Sequence, residues 1–200
     1  MKKLNLLAAA IVVVAIFAIT ACTSYNENSP NPPVAVGTKV ENFRLADTSG
    51  AERSLDDLKG KNGAILVFVS AQCPTVKQYN ERISQFAADF AENGINVIGI
   101  NSNVSESPEW VRSHAAENYK FPVLIDKGNV LADKLGASLT PEIFYLNDKN
   151  VLVYQGAIDN SSSGEEITEN YLRNAVEQSS SGKPVERKTA RAVGCSIKRV

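Results

Sequence analysis

Apolar positions fall into distinct kinds of run along this chain, and each kind predicts a different element. Residues 6–19 are almost continuously apolar, behind the basic start Met1-Lys2-Lys3. Residues 64–69 (AILVFV) and 95–100 (INVIGI) are also continuous but only strand-long, the pattern of strands covered on both faces of a sheet. Between them Val76, Tyr79, Ile83, Phe86, Ala87 and Phe90 recur at helical spacing, after Pro74 and before a stop at Gly94. Ser107-Pro108 opens a second helix, with Ser at the cap and Pro in the first turn, carrying Trp110, Val111 and Tyr119. Residues 122–125 predict a short strand, and 130–135 a short helix ended by Gly136. Strands at 142–146 and 151–154 flank the turn Asn147-Asp148-Lys149-Asn150, and 167–176 predicts a last amphipathic helix. Ahead of these elements Phe43-Arg44-Leu45-Ala46 alternates, Asp47-Thr48-Ser49-Gly50 turns and residues 51–55 return, so a small β-hairpin is expected. The order is that of an α/β sandwich whose first strands run parallel.

The N-terminal run reads as an address rather than as part of the fold. A short basic start, an apolar stretch and small residues before a cleavage point describe a secretory signal. The run is short for roughly 30 Å of hydrocarbon, which takes about 20 apolar residues. Ile19-Thr20-Ala21-Cys22 resembles the lipobox of bacterial lipoproteins, which implies cleavage before Cys22 and lipidation of that residue. The expected organisation is therefore a signal peptide at 1–21, a polar Pro- and Asn-rich tether at 22–36, a folded domain at 37–178 and a basic tail at 179–200. Such a chain would sit in the bacterial cell envelope, held to a membrane through Cys22, with its domain outside the cytoplasm.

Composition narrows the chemistry. Two hundred residues, 44% hydrophobic and 22% charged, fit one ordinary domain and exclude a disordered or polytopic chain. Lys+Arg of 21 against Asp+Glu of 22 is too even for a dedicated nucleic-acid binder. Three cysteines and one histidine, widely scattered, leave little for a metal cage, and no cofactor is expected. With Cys22 lipidated, Cys73 and Cys195 remain, facing an oxidising compartment.

The junction Phe68-Val69-Ser70-Ala71-Gln72-Cys73-Pro74-Thr75-Val76-Lys77 puts a cysteine where a buried strand ends and a helix begins. Ligands of open α/β sheets are met at the carboxyl ends of strands. A helix N-terminus offers unpaired N–H groups and about half a positive charge, which favours a thiolate, and Lys77 one turn on adds charge.

From about residue 36 to the end, the chain resembles the thioredoxin-fold redoxins, within the alkyl hydroperoxide reductase/thiol-specific antioxidant superfamily. Val40-Glu41-Asn42-Phe43-Arg44-Leu45, together with residues 54–61 (SLDDLKGK), looks like the opening of that superfamily, and residues 67–77 look like its nucleophile junction, with Cys73 at the attacking position. Leu139-Thr140-Pro141 is similar to the thioredoxin segment whose cis-proline packs beside the reactive sulfur and receives substrate backbone. The ending Gly194-Cys195-Ser196-Ile197-Lys198 resembles a branch of redoxins with a Gly-Cys-x-Ile-Lys tail. The resemblance implies a thioredoxin-like sandwich: a central mixed β-sheet flanked by helices, with an N-terminal hairpin.

Departures from the pattern shape the expected function. Val76 stands where thioredoxins carry their second cysteine, and Ser70 where the tail-bearing branch often has an extra one. A local dithiol is thus impossible. An internal disulfide of Cys73 could only use Cys195; other partners are a second protein or a small thiol, and Cys195 could equally serve to pack the tail. Of the features that polarise peroxide in peroxiredoxins, Ser70 is present, Leu66 replaces a proline, and no Arg lies near Thr140-Pro141. The expected activity is thiol–disulfide exchange. Cys73 would attack a protein disulfide or oxidised thiol, Cys195 on a mobile tail would resolve the mixed disulfide, and an exported thiol reductant would restore both. Alternatives are a peroxiredoxin-like thiol peroxidase and a degenerate, non-catalytic redoxin that binds peptide along its cis-proline groove. His114 reads as a surface residue and Trp110 as core or helix packing.

Overall fold

The structure is a computed structural model that describes residues 33–200. The expected signal segment, Cys22 and most of the tether lie outside the described residues. Strands β1 (Arg44–Asp47) and β2 (Glu52–Ser54) form the hairpin. Its turn is held by Asp47, whose Oδ1 accepts from Ser49 N at 2.8 Å and Ala51 N at 3.1 Å, while Arg53 Nε donates to Oδ2 at 3.0 Å. Ser54 then caps a one-turn helix, α1 (Leu55–Leu58), through a reciprocal capping box with Asp57. That turn was not among the expected elements; the Ser-x-x-Asp spacing was its sequence sign.

The chain continues through β3 (Gly63–Val69), α2 (Pro74–Glu92), β4 (Ile95–Asn101), α3 (Pro108–Asn118), β5 (Val123–Ile125), a 3-10 turn (Lys127–Asn129), α4 (Val130–Leu135), β6 (Leu139–Thr140), β7 (Glu142–Asn147), β8 (Leu152–Gly156), α5 (Tyr171–Ser180), β9 (Thr189–Ala190) and β10 (Cys195–Ser196). Eight strands make one mixed sheet in the order β2-β1-β5-β4-β3-β7-β8-β9, and β6 pairs with β10 in a separate ribbon. As the hydrophobic pattern predicts, β3 pairs parallel with β4, and β4 with β5. The hairpin of β7 and β8 then adds antiparallel, with Ile65 opposite Tyr145 and Val67 opposite Ile143.

The continuous apolar run of β3 is explained by cover on both faces. Ile65, Val67 and Val69 point into one core with Val76, Tyr79, Ile83, Phe86 and Phe90 of α2. Leu66 and Phe68 point into the other, with Leu131, Ala132 and Leu135 of α4 and with Ile197 from the tail. Every residue of β3 is buried.

Three expectations change. The last helix begins at Tyr171 rather than at 167, because Asn160 Oδ1 accepts from the N–H groups of Thr168 and Glu169 and holds them outside a helix. Trp110 is 53% exposed: the buried face of α3 carries Val111 and Ala115, one residue off in register, and turns the indole outward. The C-terminal stretch is part of the fold rather than a mobile tail. β9 extends the main sheet beside β8, where a Cβ at Gly156 (φ +131°) would overlap Ala190 O, and Val185, Ala192 and Ile197 are buried. Backbone pairing and three small contacts suffice, so little hydrophobicity was needed to mark it.

Candidate active site

At the carboxyl end of β3 the chain turns through Ser70-Ala71-Gln72 into α2, with Cys73 at the N-cap and Pro74 at the first helical position. No side chain caps this 19-residue helix, so its N-terminal N–H groups and positive dipole end stand beside the Cys73 sulfur. Cys73 is bonded to Cys195, 122 residues on in sequence, with their Cα atoms 5.9 Å apart. Cys73 is 2% exposed, whereas Cys195 is partly exposed.

Cys195 is delivered by strand pairing. β10 runs antiparallel to β6, with Cys195 opposite Thr140 and Ser196 opposite Leu139. Cys73 Sγ lies 3.2 Å from Thr140 O, and Thr140 Oγ1 donates to Cys195 O at 3.4 Å. The Thr140–Pro141 peptide is cis. A Cβ at Gly194 would overlap Thr140 O, so the residue before Cys195 must lack a side chain for the strands to approach this closely. Beyond the cysteine the tail is tied down again. Ile197 N donates to Ser138 O at 2.9 Å, Lys198 N to Asn103 Oδ1 at 2.9 Å, and Val104 N to Lys198 O at 3.0 Å.

The turn before Cys73 is shaped by a residue that sequence reasoning missed. Glu106, in the loop after β4, accepts from Ala71 N at 3.0 Å, Gln72 N at 3.1 Å and Asn101 Nδ2 at 2.6 Å, and also from Ser70 Oγ. Asn101 Nδ2 in turn reaches Val69 O at 3.2 Å. The carboxylate thus gathers both backbone donors and the hydroxyl of the turn that carries Cys73. Glu142 does the same for the turn before the cis peptide, accepting from Ser138 N at 2.8 Å and Leu139 N at 3.1 Å.

Of the residues singled out in the sequence, Cys73, Cys195, Thr140 and Pro141 meet at one point. Ser70 is adjacent and buried, but its hydroxyl is given to Glu106. Lys77 is exposed, linked to Cys73 through its backbone N–H, which donates to Cys73 O at 3.2 Å. His114 is partly buried rather than a surface residue. His114 packs edge-on to Tyr119 and contacts Asn80 Nδ2, and burial chiefly lowers its pKa. In the second turn of α2, Tyr79 donates to buried Asp159 at 3.2 Å, and Arg82 pairs with the same carboxylate at 2.5 Å while lying over the Tyr79 ring. Burial, then the Asp159 charge, pushes the Tyr79 phenol up to about 12. Among the described residues no group of three or more His, Cys, Asp or Glu could hold a metal ion, and no helix is long and apolar enough to cross a membrane.

A helix-capping cysteine at the end of a central parallel strand, facing a cis-proline turn in a mixed sheet flanked by helices, defines a thioredoxin-fold redoxin. Residues 36–158 match the AhpC/TSA family, and the chain belongs to it. Among solved structures, a hypothetical protein of Sinorhizobium meliloti 1021 superposes with a TM-score of 0.76 at 32% identity, covering 84% of this chain and 96% of that one. An uncharacterized conserved protein of Geobacillus kaustophilus gives 0.75 at 29% identity, over 82% and 92%. By sequence, the thiol-disulfide oxidoreductase ResA of Bacillus thuringiensis is 27% identical over 175 residues, 86% of this chain and 98% of that protein. The ResA of Halalkalibacterium halodurans is 29% identical over 119 residues, 58% of this chain and 65% of that protein, so the match spans just under two thirds of its length.

Proposed function

We propose that this protein exchanges thiols and disulfides, with Cys73 and Cys195 as a reversible redox pair. One observation carries the reading: the helix-capping cysteine is bonded across the cis-proline turn to a cysteine that the chain brings there by dedicated strand pairing. Similarity to the ResA thiol-disulfide oxidoreductases supports the same chemistry. The substrate class is a dithiol or disulfide, and a partner redox couple of the same class resets the pair. Neither step calls for a metal or an organic cofactor. Thr140, Pro141 and Glu106 position the pair rather than react.

Peroxide reduction has weaker support. The Ser70 hydroxyl is committed as a donor to Glu106, and preorganised donors at the reacting atoms usually supply the largest share of such catalysis. Peptide capture along β6 meets an occupied edge, since β10 already pairs there. The reading also includes export and anchoring through a lipidated Cys22, supported by the basic start, the apolar run at 6–19 and the small residues before that cysteine. Mass spectrometry of the protein from bacterial membranes tests it: lipid on an N-terminal Cys22 is expected, and an unmodified N-terminus elsewhere refutes it.

The activity test is a coupled assay with a disulfide-bonded protein substrate and hydrogen peroxide offered separately to the reduced protein. Disulfide reduction that vanishes in the Cys73→Ser variant is expected. Peroxide consumption without disulfide reduction would overturn the proposal.

A further inference from the structure

We infer that Cys195, not Cys73, is the sulfur that external partners meet, and that Cys73 is the leaving and resolving sulfur. The inference rests on the exchange reading above and reverses the order that the strand–helix junction alone suggests.

Access is the first ground. Cys73 is 2% exposed, walled by the Thr140 carbonyl 3.2 Å from its sulfur and by the first core, whereas Cys195 is partly exposed between exposed Val193 and exposed Ser196. The backbone edge by which a peptide could slide toward Cys73 is filled: β10 occupies Leu139–Thr140. This strand is not loosely placed, because buried Ile197 and the bonds from Ile197 N and Lys198 N hold it just beyond the cysteine. A partner therefore reaches the bond from the solvent side, at Cys195, without pairing to the sheet. The class of partner this admits is a small thiol or a thiol on an exposed, flexible segment.

Leaving-group chemistry is the second ground. Attack on Cys195 expels Cys73, the sulfur at the N-cap of α2, where the dipole and unpaired N–H groups favour negative charge. Attack on Cys73 would expel Cys195, which sits on a two-residue strand with no helix terminus of its own. Exchange is faster when the departing thiol is the better stabilised thiolate.

The steps balance as follows. A partner thiolate attacks Cys195 Sγ, the Cys73–Cys195 bond breaks, and its electron pair leaves on Cys73 as thiolate. A second partner thiolate attacks the partner sulfur of the mixed disulfide and releases Cys195 as thiolate. The partner dithiol is oxidised to a disulfide and the internal pair is reduced. In reverse, Cys195 thiolate attacks one sulfur of a partner disulfide, the partner S–S bond breaks and its other sulfur leaves as thiolate. Cys73 thiolate then attacks Cys195 Sγ, closing the internal bond and releasing the attached partner sulfur as the second thiolate.

The test treats the native, oxidised full chain briefly with glutathione, quenches with acid at the earliest time points, alkylates the freed thiols under denaturing conditions so that burial does not shield them, and maps the modified peptides by mass spectrometry. Glutathione on Cys195 with the alkyl group on Cys73 is expected, in about tenfold or greater excess over the opposite pattern. Equal or opposite labelling overturns the inference while leaving exchange intact. No glutathione on either cysteine, in a protein whose disulfide does reduce once denatured, overturns the exchange reading as well.

Discussion

Reducing the Cys73–Cys195 bond should lower the stability of the domain by an amount set mainly by the loop it closes. The two cysteines are 122 residues apart, and cross-linking a loop of that size removes about 16 cal/mol/K from the unfolded chain in the loop-entropy treatment, about 5 kcal/mol near 298 K. The folded state should change little, because the tail keeps the β6–β10 pairing, buried Ile197 and the bond from Lys198 N to Asn103 without the disulfide. Measured disulfide contributions run below the entropic value, so a loss of about 2–5 kcal/mol is expected. Urea unfolding of the oxidised and the reduced protein, followed by far-UV circular dichroism, reads this directly. With a slope near 2 kcal/mol/M the midpoints should differ by about 1–2.5 M. Coincident midpoints, within about 0.2 M at that slope, would refute the reasoning: the bond would then not constrain the unfolded chain.

Other consequences are as direct. Glu106→Ala removes the acceptor of four donors around the turn before Cys73, and should destabilise by about 2–4 kcal/mol in denaturant titrations; Glu106→Gln, which keeps one acceptor oxygen, should lose roughly half of that. A change below about 0.5 kcal/mol for the alanine variant would mean that the carboxylate does not hold the turn. Ile197→Ala empties a place in the second core and should cost about 2–4 kcal/mol by the same assay. It should also raise alkylation of Cys195 in the reduced protein; a variant as stable as the parent would sink the idea that the tail is anchored. His114 is the sole histidine, so its imidazole can be followed alone by proton NMR. Burial favours its neutral form, so it should titrate below 6.5, and its contribution to stability, present above the unfolded value, should fade as pH drops through the folded one. Titration at or above 6.5 would contradict that environment.

Much of this architecture was legible because it follows from burial. AILVFV has the length and continuity of a strand covered on both faces, and the Val76–Tyr79–Ile83–Phe86–Phe90 spacing lines one face of a helix, as the two cores show. The place of Cys73 was legible for a related reason: a cysteine followed by proline at the end of such a strand falls naturally at a helix cap. The cis peptide at Pro141 came from resemblance, not from spacing. What stayed hidden depends on backbone groups, which sequence does not display. Glu106 is recognised largely through the N–H groups of Ala71 and Gln72, 35 and 34 residues away, beside the side chains of Ser70 and Asn101, and β9 through a parallel pairing of polar Gln155 with polar Thr189. Trp110 was misplaced by one helical position, about 100° of rotation, which is enough to turn a core residue into a surface one.

The central claim is that Cys73 and Cys195 are one reversible couple in the folded protein. Equilibrating the native protein in dithiothreitol redox buffers, trapping thiols with an alkylating agent and mapping both cysteine peptides tests it most directly. The account predicts that both become alkylated together along a single two-electron curve, and that a Cys73–Cys195 linked peptide disappears in step. Cys73 found alkylated in the fully oxidised protein, or the two cysteines titrating on separate curves, would contradict it.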